Sequence, residues 1–187
     1  MALFNENLRM TDVVEATVTR GGGSEEGINL KGFYTIECFD ADGNLKWTDH
    51  IENLVTTAGK NDALDKYLAG SGYTASFFLG LVDGGSAPTF NIADTMASHA
   101  GWTENTGYSN ATRVAPAFAA ASGGSKATSA AAAFNINAGG TIAGMFLTTV
   151  NTKGGATGIL FSCGSFSGGS RAVVNGDTLN ATYTLNA

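Results

Sequence analysis

The chain is short of almost every residue type that usually announces chemistry. It has only two histidines, His50 and His99, so a serine or cysteine hydrolase would have to take its base from that pair. Its two cysteines, Cys38 and Cys163, lie far apart with no CxxC spacing, which removes the usual start of a thiolate metal site. Charged side chains make up 14 % of the 187 residues, against roughly 25 % in an average soluble domain. The few basic residues form no cluster, and nucleic acid is not expected as a ligand, because neutralising phosphates takes several cations on one face. No apolar run approaches the roughly 20 residues of a membrane helix, and the opening MALFNENLRMTD lacks the basic and apolar regions of a secretory signal. The expectation is therefore a protein folded in the cytosol with no membrane contact. Its thiols read as small core hydrophobes, with a Cys38–Cys163 disulfide left open, and the Asn-X-Thr triplets at Asn110 and Asn180 read as chance matches.

Glycine, by contrast, is abundant at 26 positions, and the net charge of −6 is unevenly spread. Residues 1–30 carry two basic and five acidic side chains (−3), residues 31–110 four and ten (−6), and residues 111–187 four and one (+3), the last acid being Asp177. The short alternating piece VVEATVT (13–19) is followed by GGGSEEG (21–27), a hinge by composition. Residues 1–27 are accordingly expected to be an arm and hinge able to reach a neighbour, with a frayed terminus as the alternative, and residues 28–187 a single β-sandwich domain.

From Phe33 onward the pattern is that of strands. FYTIECF (33–39) and LKWTDHI (45–51) flank DADGN, where Asp42-Gly43 supplies the positive-φ residues of a tight hairpin turn. Asp40, Asp42 and Asn44 alternate as in a calcium loop, but the glycine falls at the fourth position and no glutamate stands at the twelfth, so a turn is expected and not a calcium site. TTAGKNDALDKYLAG (56–70) predicts the one short α-helix, capped by Thr56 or Thr57, with an apolar stripe of Ala63, Leu64, Tyr67 and Leu68 and a stop at Gly70. Gly59-Lys60 is no phosphate loop, because Leu54 and Asn61 occupy positions where the motif needs glycine and a hydroxyl. Further strands are expected at 75–82, 112–118, 129–136, 141–150, 157–166, 171–174 and 179–185, with Pro88 and Pro116 placed so as not to disturb them. AFAAASGGSKATSAAAAF (117–134) reads as two small-residue strands about Gly123-Gly124 in preference to a helix. The sum is a mainly β fold, an antiparallel β-sandwich of jelly-roll-like type with one short helix and an extended N-terminal arm.

One stretch carries residues capable of catalysis: ADTMASHAGWTENTGYSNATR (93–113). Asp94, His99 and Glu104 invite a metal or acid–base reading, but spacings of five residues in a glycine-broken loop fix no ligand geometry, and no HxH or HxxxH pair anchors one. CGSFSGG (163–169) places Phe166 where a nucleophile elbow needs serine. A carboxylate pair from Asp83, Asp94 and Glu104 would lack the aromatics of a sugar cleft beyond Trp102 and Tyr108, while His50, beside Asp49 and Glu52, reads as a solvated strand residue. The structural reading is that Asp94 caps one helical turn closed by Gly101, Met96 and Trp102 plug the end of the sandwich, and Glu104 pairs with Arg113. No catalytic, cofactor-binding or metal-binding residue is expected, and no cofactor.

The order of WTDHIENLVTTAGKNDALDKYLAG, FFLGLVDG, DTMASHAGWTENTGYSNATR, GTIAGMFLTT and GDTLNATYTLN resembles that of virion structural proteins of tailed bacteriophages, in particular head decoration (cement) proteins, over roughly residues 33–187. The resemblance implies a jelly-roll-like β-sandwich that assembles with itself as a homodimer or homotrimer, is made in the host cytoplasm, and stabilises the shell of major capsid protein from its outer surface by bridging capsomers. An alternative within the same resemblance is a tail- or fibre-associated protein binding host surface glycans, which an exposed cluster of Trp47, Trp102 and Tyr108 would favour. A small hydrolase is the third reading, and it would need an Asp94–His99 hydrogen bond facing a cleft.

Overall fold

A computed structural model describes residues 29–68 and 76–187; the arm and hinge expected over 1–27, and Gly70 as the helix stop, lie outside them. The fold is mainly β, as expected, with strands β1 (Lys31–Phe39), β2 (Leu45–Val55), β3 (Phe78–Asp83), β4 (Glu104–Asn105), β5 (Ser125–Ala127), β6 (Ala132–Asn135), β7 (Gly140–Thr148), β8 (Leu160–Ser165), β9 (Arg171–Val173) and β10 (Thr178–Asn186). Among the described residues there is one helix, α1 (Thr57–Leu68). All strand pairs are antiparallel and belong to one sheet in the order β4-β3-β7-β8-β2-β1-β10-β5, with β6 also on β10 and β9 also on β7.

The hairpin β1–β2 forms, but of the expected Asp42-Gly43 pair only Gly43 takes a positive φ, +82°; Asp40 Oδ1 accepts the N–H groups of Asp42 and Asn44 at 3.0 and 2.8 Å, and this side-chain bonding shapes the turn. Period-2 alternation then buries Tyr34, Ile36 and Cys38 on β1 opposite Tyr183, Ala181 and Leu179 on β10. β2 is the corner of the sheet: up to Asn53 it pairs with β1, and Leu54 and Val55 pair with Cys163 and Ser162 of β8. Thr56 caps α1 directly after it, its Oγ1 accepting Gly59 N–H at 3.0 Å while its own N–H donates to Phe161 O at 3.0 Å.

β7 is buried from Ile142 to Thr148 without alternation, as an apolar run requires when both faces are covered. Met145 and Leu147 face the main core with Leu79, Leu81 and Phe161, whereas Phe146 belongs to a second cluster with Val82, Leu160, Cys163, Met96 and Trp102. Met96 and Trp102 therefore cover the outer face of β3–β7–β8, not the end of a sandwich as the sequence suggested.

The predicted strand over 112–118 is not formed. Pro116 removes a donor in its middle, and only two isolated bridges survive on either side. Val114 exchanges hydrogen bonds with Leu79 of β3 at 2.8 and 3.1 Å, and Ala119 and Ala117 bond Ala127 and Ser129 at 2.9 and 2.7 Å. This irregular strap joins the β3 side of the sheet to its β5 edge, so the sheet curls round one interior. The small-residue segment 117–134 is non-helical as expected, turning at Gly123 and Gly124 with φ +59° and +77°.

Candidate functional site

The reactive residues of the 93–113 stretch are each held by a different structural contact. Asp94 Oδ2 accepts Trp102 Nε1–H at 3.1 Å and Asn91 N–H at 3.0 Å, so it ties a turn together instead of capping a helical one; no helix forms there, and Thr95 bridges to Ser98. His99 stacks on the Trp102 ring at 3.9 Å, and its Nδ1 donates to the Trp102 carbonyl at 3.0 Å. Asp94 and His99 thus both grip Trp102 and make no hydrogen bond to each other.

Glu104 and Arg113 form the pair expected from the sequence, and it is deeply buried. Arg113 Nε and Nη2 donate to the two carboxylate oxygens at 3.0 and 2.7 Å, with Arg113 fully excluded from solvent. Its remaining donors reach Val150 O at 2.9 Å and Gly155 O at 2.8 Å, Gly154 N–H returns to Glu104 Oε2 at 2.8 Å, and the guanidinium lies 5.1 Å from the Phe146 ring centre. The cluster fastens the 150–155 loop to the 104–113 loop with every guanidinium hydrogen-bonding direction but one satisfied.

Two further ion pairs carry the same function elsewhere. Asp49 Oδ1 accepts from Ser167 N, Ser167 Oγ, Gly168 N and His50 N at 2.8–3.3 Å, and Oδ2 from Arg171 Nε at 2.9 Å. Burial alone would raise its pKa, but the bonds from Ser167, Arg171, His50 and Gly168 outweigh that and hold it below the ordinary carboxylate value. His50 is exposed, as the sequence suggested, 3.1 Å from Glu52, whereas Asp49 shares the strand parity of Ile51 and faces inward. That parity was the available signal. Asp177 is likewise buried, its Oδ2 taking Lys46 Nζ at 2.6 Å and Val174 N–H at 2.9 Å.

Both cysteines are free and buried, and burial pushes the Cys38 thiol up to about 11 and the Cys163 thiol up to about 12. Trp102 and Tyr108 are buried and Trp47 is half-buried, so these three build no exposed aromatic cluster. No convergence of three or more His, Cys, Asp or Glu side chains suited to a metal occurs among the described residues.

What the sequence did not foresee is an apolar end to the molecule. Beside the strap lies a cavity of about 470 Å³ walled by Phe77, Phe78, Phe118, Phe161, Tyr183 and Leu185. Lys126 stands at it, its Nζ donating to Ala119 O at 2.8 Å, 5.8 Å from the Phe118 ring centre. Deeper in, Tyr183 OH accepts Asn53 Nδ2–H at 3.1 Å, and Ser162 Oγ lies 2.6 Å from Tyr34 OH. On α1 the predicted stripe is split: Ala63 is partly buried against the core, whereas Leu64 is 45 %, Tyr67 85 % and Leu68 74 % exposed, and the residues this helix buries are Gly59 and Asp62. Gly59 seats closely on the Phe161 backbone, because a side-chain-free position is what lets the helix lie that near the sheet. The chain matches no protein-family model, and no curated protein is significantly similar to it.

Proposed function

We propose that the protein is a non-enzymatic structural component of a tailed-bacteriophage virion, a decoration protein that binds the outer surface of the major capsid protein shell and bridges capsomers as a homodimer or homotrimer. The observation that carries the non-enzymatic part is the commitment of Asp49, Asp94, His99, Glu104, Arg113 and Asp177 to pinning loops: each is engaged by partners within the fold, and none is left beside another with a free proton-transfer geometry. Pinned loops on a curled sheet suit a module whose task is to adhere. The ordered resemblance of five segments to phage head proteins supports the virion part. The glycine-, alanine- and threonine-rich 111–187 region, with a single acid, suits close packing against neighbours because few charges must be desolvated. Many such weak contacts, repeated by symmetry, would add up through multivalency.

The test is co-sedimentation of the purified protein with expanded heads, followed by cryo-electron microscopy of the decorated particle. Saturable binding at symmetry-related sites and a raised disruption temperature of the heads are expected. Presence in isolated tails with no affinity for heads overturns the reading.

A further inference from the structure

We propose that the aromatic cavity beside the strap binds a small amphipathic monocarboxylate, a molecule with a compact apolar body and one anionic head, and that Lys126 is the counter-ion. The cavity holds about 470 Å³, inside the range of about 300–1,000 Å³ usual for small-molecule sites. Its walls come from distant parts of the chain: Phe78 on β3, Phe161 on β8, Tyr183 and Leu185 on β10, Phe118 on the strap and Lys126 on β5. A ligand there touches β3 and β5 together, which stand near opposite ends of the sheet order, and such a gap in a curled sheet is a common place for a binding site.

The chemistry of the wall selects the class of ligand. Phe77 stands edge-on to both Phe118 and Phe161, with ring centres 6.4 and 5.5 Å apart, so the apolar surface is held in place by its own packing. Tyr183 is 1 % exposed, and its hydroxyl is engaged within the fold by Asn53 Nδ2–H at 3.1 Å, which leaves its ring to the cavity. Charge enters at one point. Lys126 is the only charged side chain lining the space, and among the described residues no carboxylate pairs with it. One of its three N–H donors goes to Ala119 O at 2.8 Å, and the other two suit the oxygens of a carboxylate. A doubly charged phosphate would leave half its charge without a cation, and a cationic head would meet Lys126 with nothing to offset it. The ammonium lies 5.8 Å from the Phe118 ring centre, so head and body of the ligand are recognised side by side.

Titration of the full chain with 4-phenylbutyrate, 4-phenylbutanol and 4-phenylbutylammonium, read by amide NMR shifts and calorimetry, tests this. The carboxylate is expected to bind one-to-one with a Kd at or below about 0.5 mM, the alcohol about ten-fold more weakly and the ammonium more weakly still. Lys126→Gln should weaken the carboxylate about ten-fold and leave the alcohol within about two-fold. Ala115→Trp, which fills the cavity from an exposed lining position, should weaken both about five-fold or more while the thermal midpoint stays within about 2 °C. No saturable binding of the carboxylate up to about 5 mM overturns the proposal, as does an affinity that is equal for carboxylate and alcohol or unchanged in Lys126→Gln. Binding that Ala115→Trp leaves intact also overturns it, because the ligand then lies elsewhere on the molecule.

Discussion

Arg113→Ala is the most informative single change. It removes both bonds to Glu104, strands a carboxylate that is 7 % exposed, and frees the Val150 and Gly155 carbonyls at once. Breaking a buried pair in this way costs about 3–5 kcal/mol, because the remaining charge stays in a poorly solvating place. For a chain of this size each kcal/mol moves the thermal midpoint by about 2–4 °C, so a drop of about 6–20 °C is expected by circular dichroism at neutral pH. Arg113→Lys should recover less than half of that drop, since an ammonium cannot reproduce the two-oxygen fork and the carbonyl bonds together. Glu104→Ala combined with Arg113→Ala should cost clearly less than the sum of the two single changes, with a coupling of about 2 kcal/mol or more. The loss should also persist at about 1 M salt, where exposed pairs are screened. A fall of less than about 3 °C for Arg113→Ala would place the pair in the range of surface ion pairs and refute the argument from burial.

The remaining expectations concern single groups. Asp49 has a folded pKa below its unfolded one, so its contribution is fully present above the unfolded value, near 3.9, and is lost as pH falls through the folded value; the midpoint-versus-pH curve of Asp49→Asn below about pH 4 should be flatter than that of the natural chain, and equal slopes would count against it. Tyr108 OH is buried with no hydrogen-bond partner among the described residues, so Tyr108→Phe should be neutral or stabilising by about 1 kcal/mol in urea unfolding, and a loss of that size would count against this placement. Cys38 and Cys163, with thiols raised by burial, should resist iodoacetamide at pH 8 until the chain unfolds; rapid labelling of the native protein would contradict their placement.

Legibility in the sequence followed the range of the forces involved. The β1–β2 hairpin was readable because Asp40 and Gly43 determine their turn locally, and α1 because Thr56 and the apolar spacing lie within one segment. The Glu104–Arg113 pair could be guessed, but its depth depends on Phe146 and on the 150–155 carbonyls, far along the chain. The helix stripe was readable as a pattern but its coverage was not: Ala63 packs against the core while Leu64, Tyr67 and Leu68 stand exposed, because Gly59 decides which side of the helix lies against the sheet. Trp102 was recognised as a plug, yet its position over the outer face of β7 follows only from the unbroken burial of that strand. The cavity had no local signal at all, since Phe77, Phe118, Phe161 and Tyr183 meet from four separate segments around an interrupted strap.

The register of β1 against β10 sets a timetable for synthesis. Lys31 faces Asn186 and Phe39 faces Thr178, so a strand made early waits for one made some 150 residues later before its second ladder exists. Until then Tyr34, Ile36 and Cys38 have half their walls missing, and the β1–β2 hairpin emerges from the ribosome as an unpaired, sticky edge. Nascent chains arrested before residue 178 should therefore depend on chaperone holding, whereas release of β10 lets the whole interior set in one cooperative event.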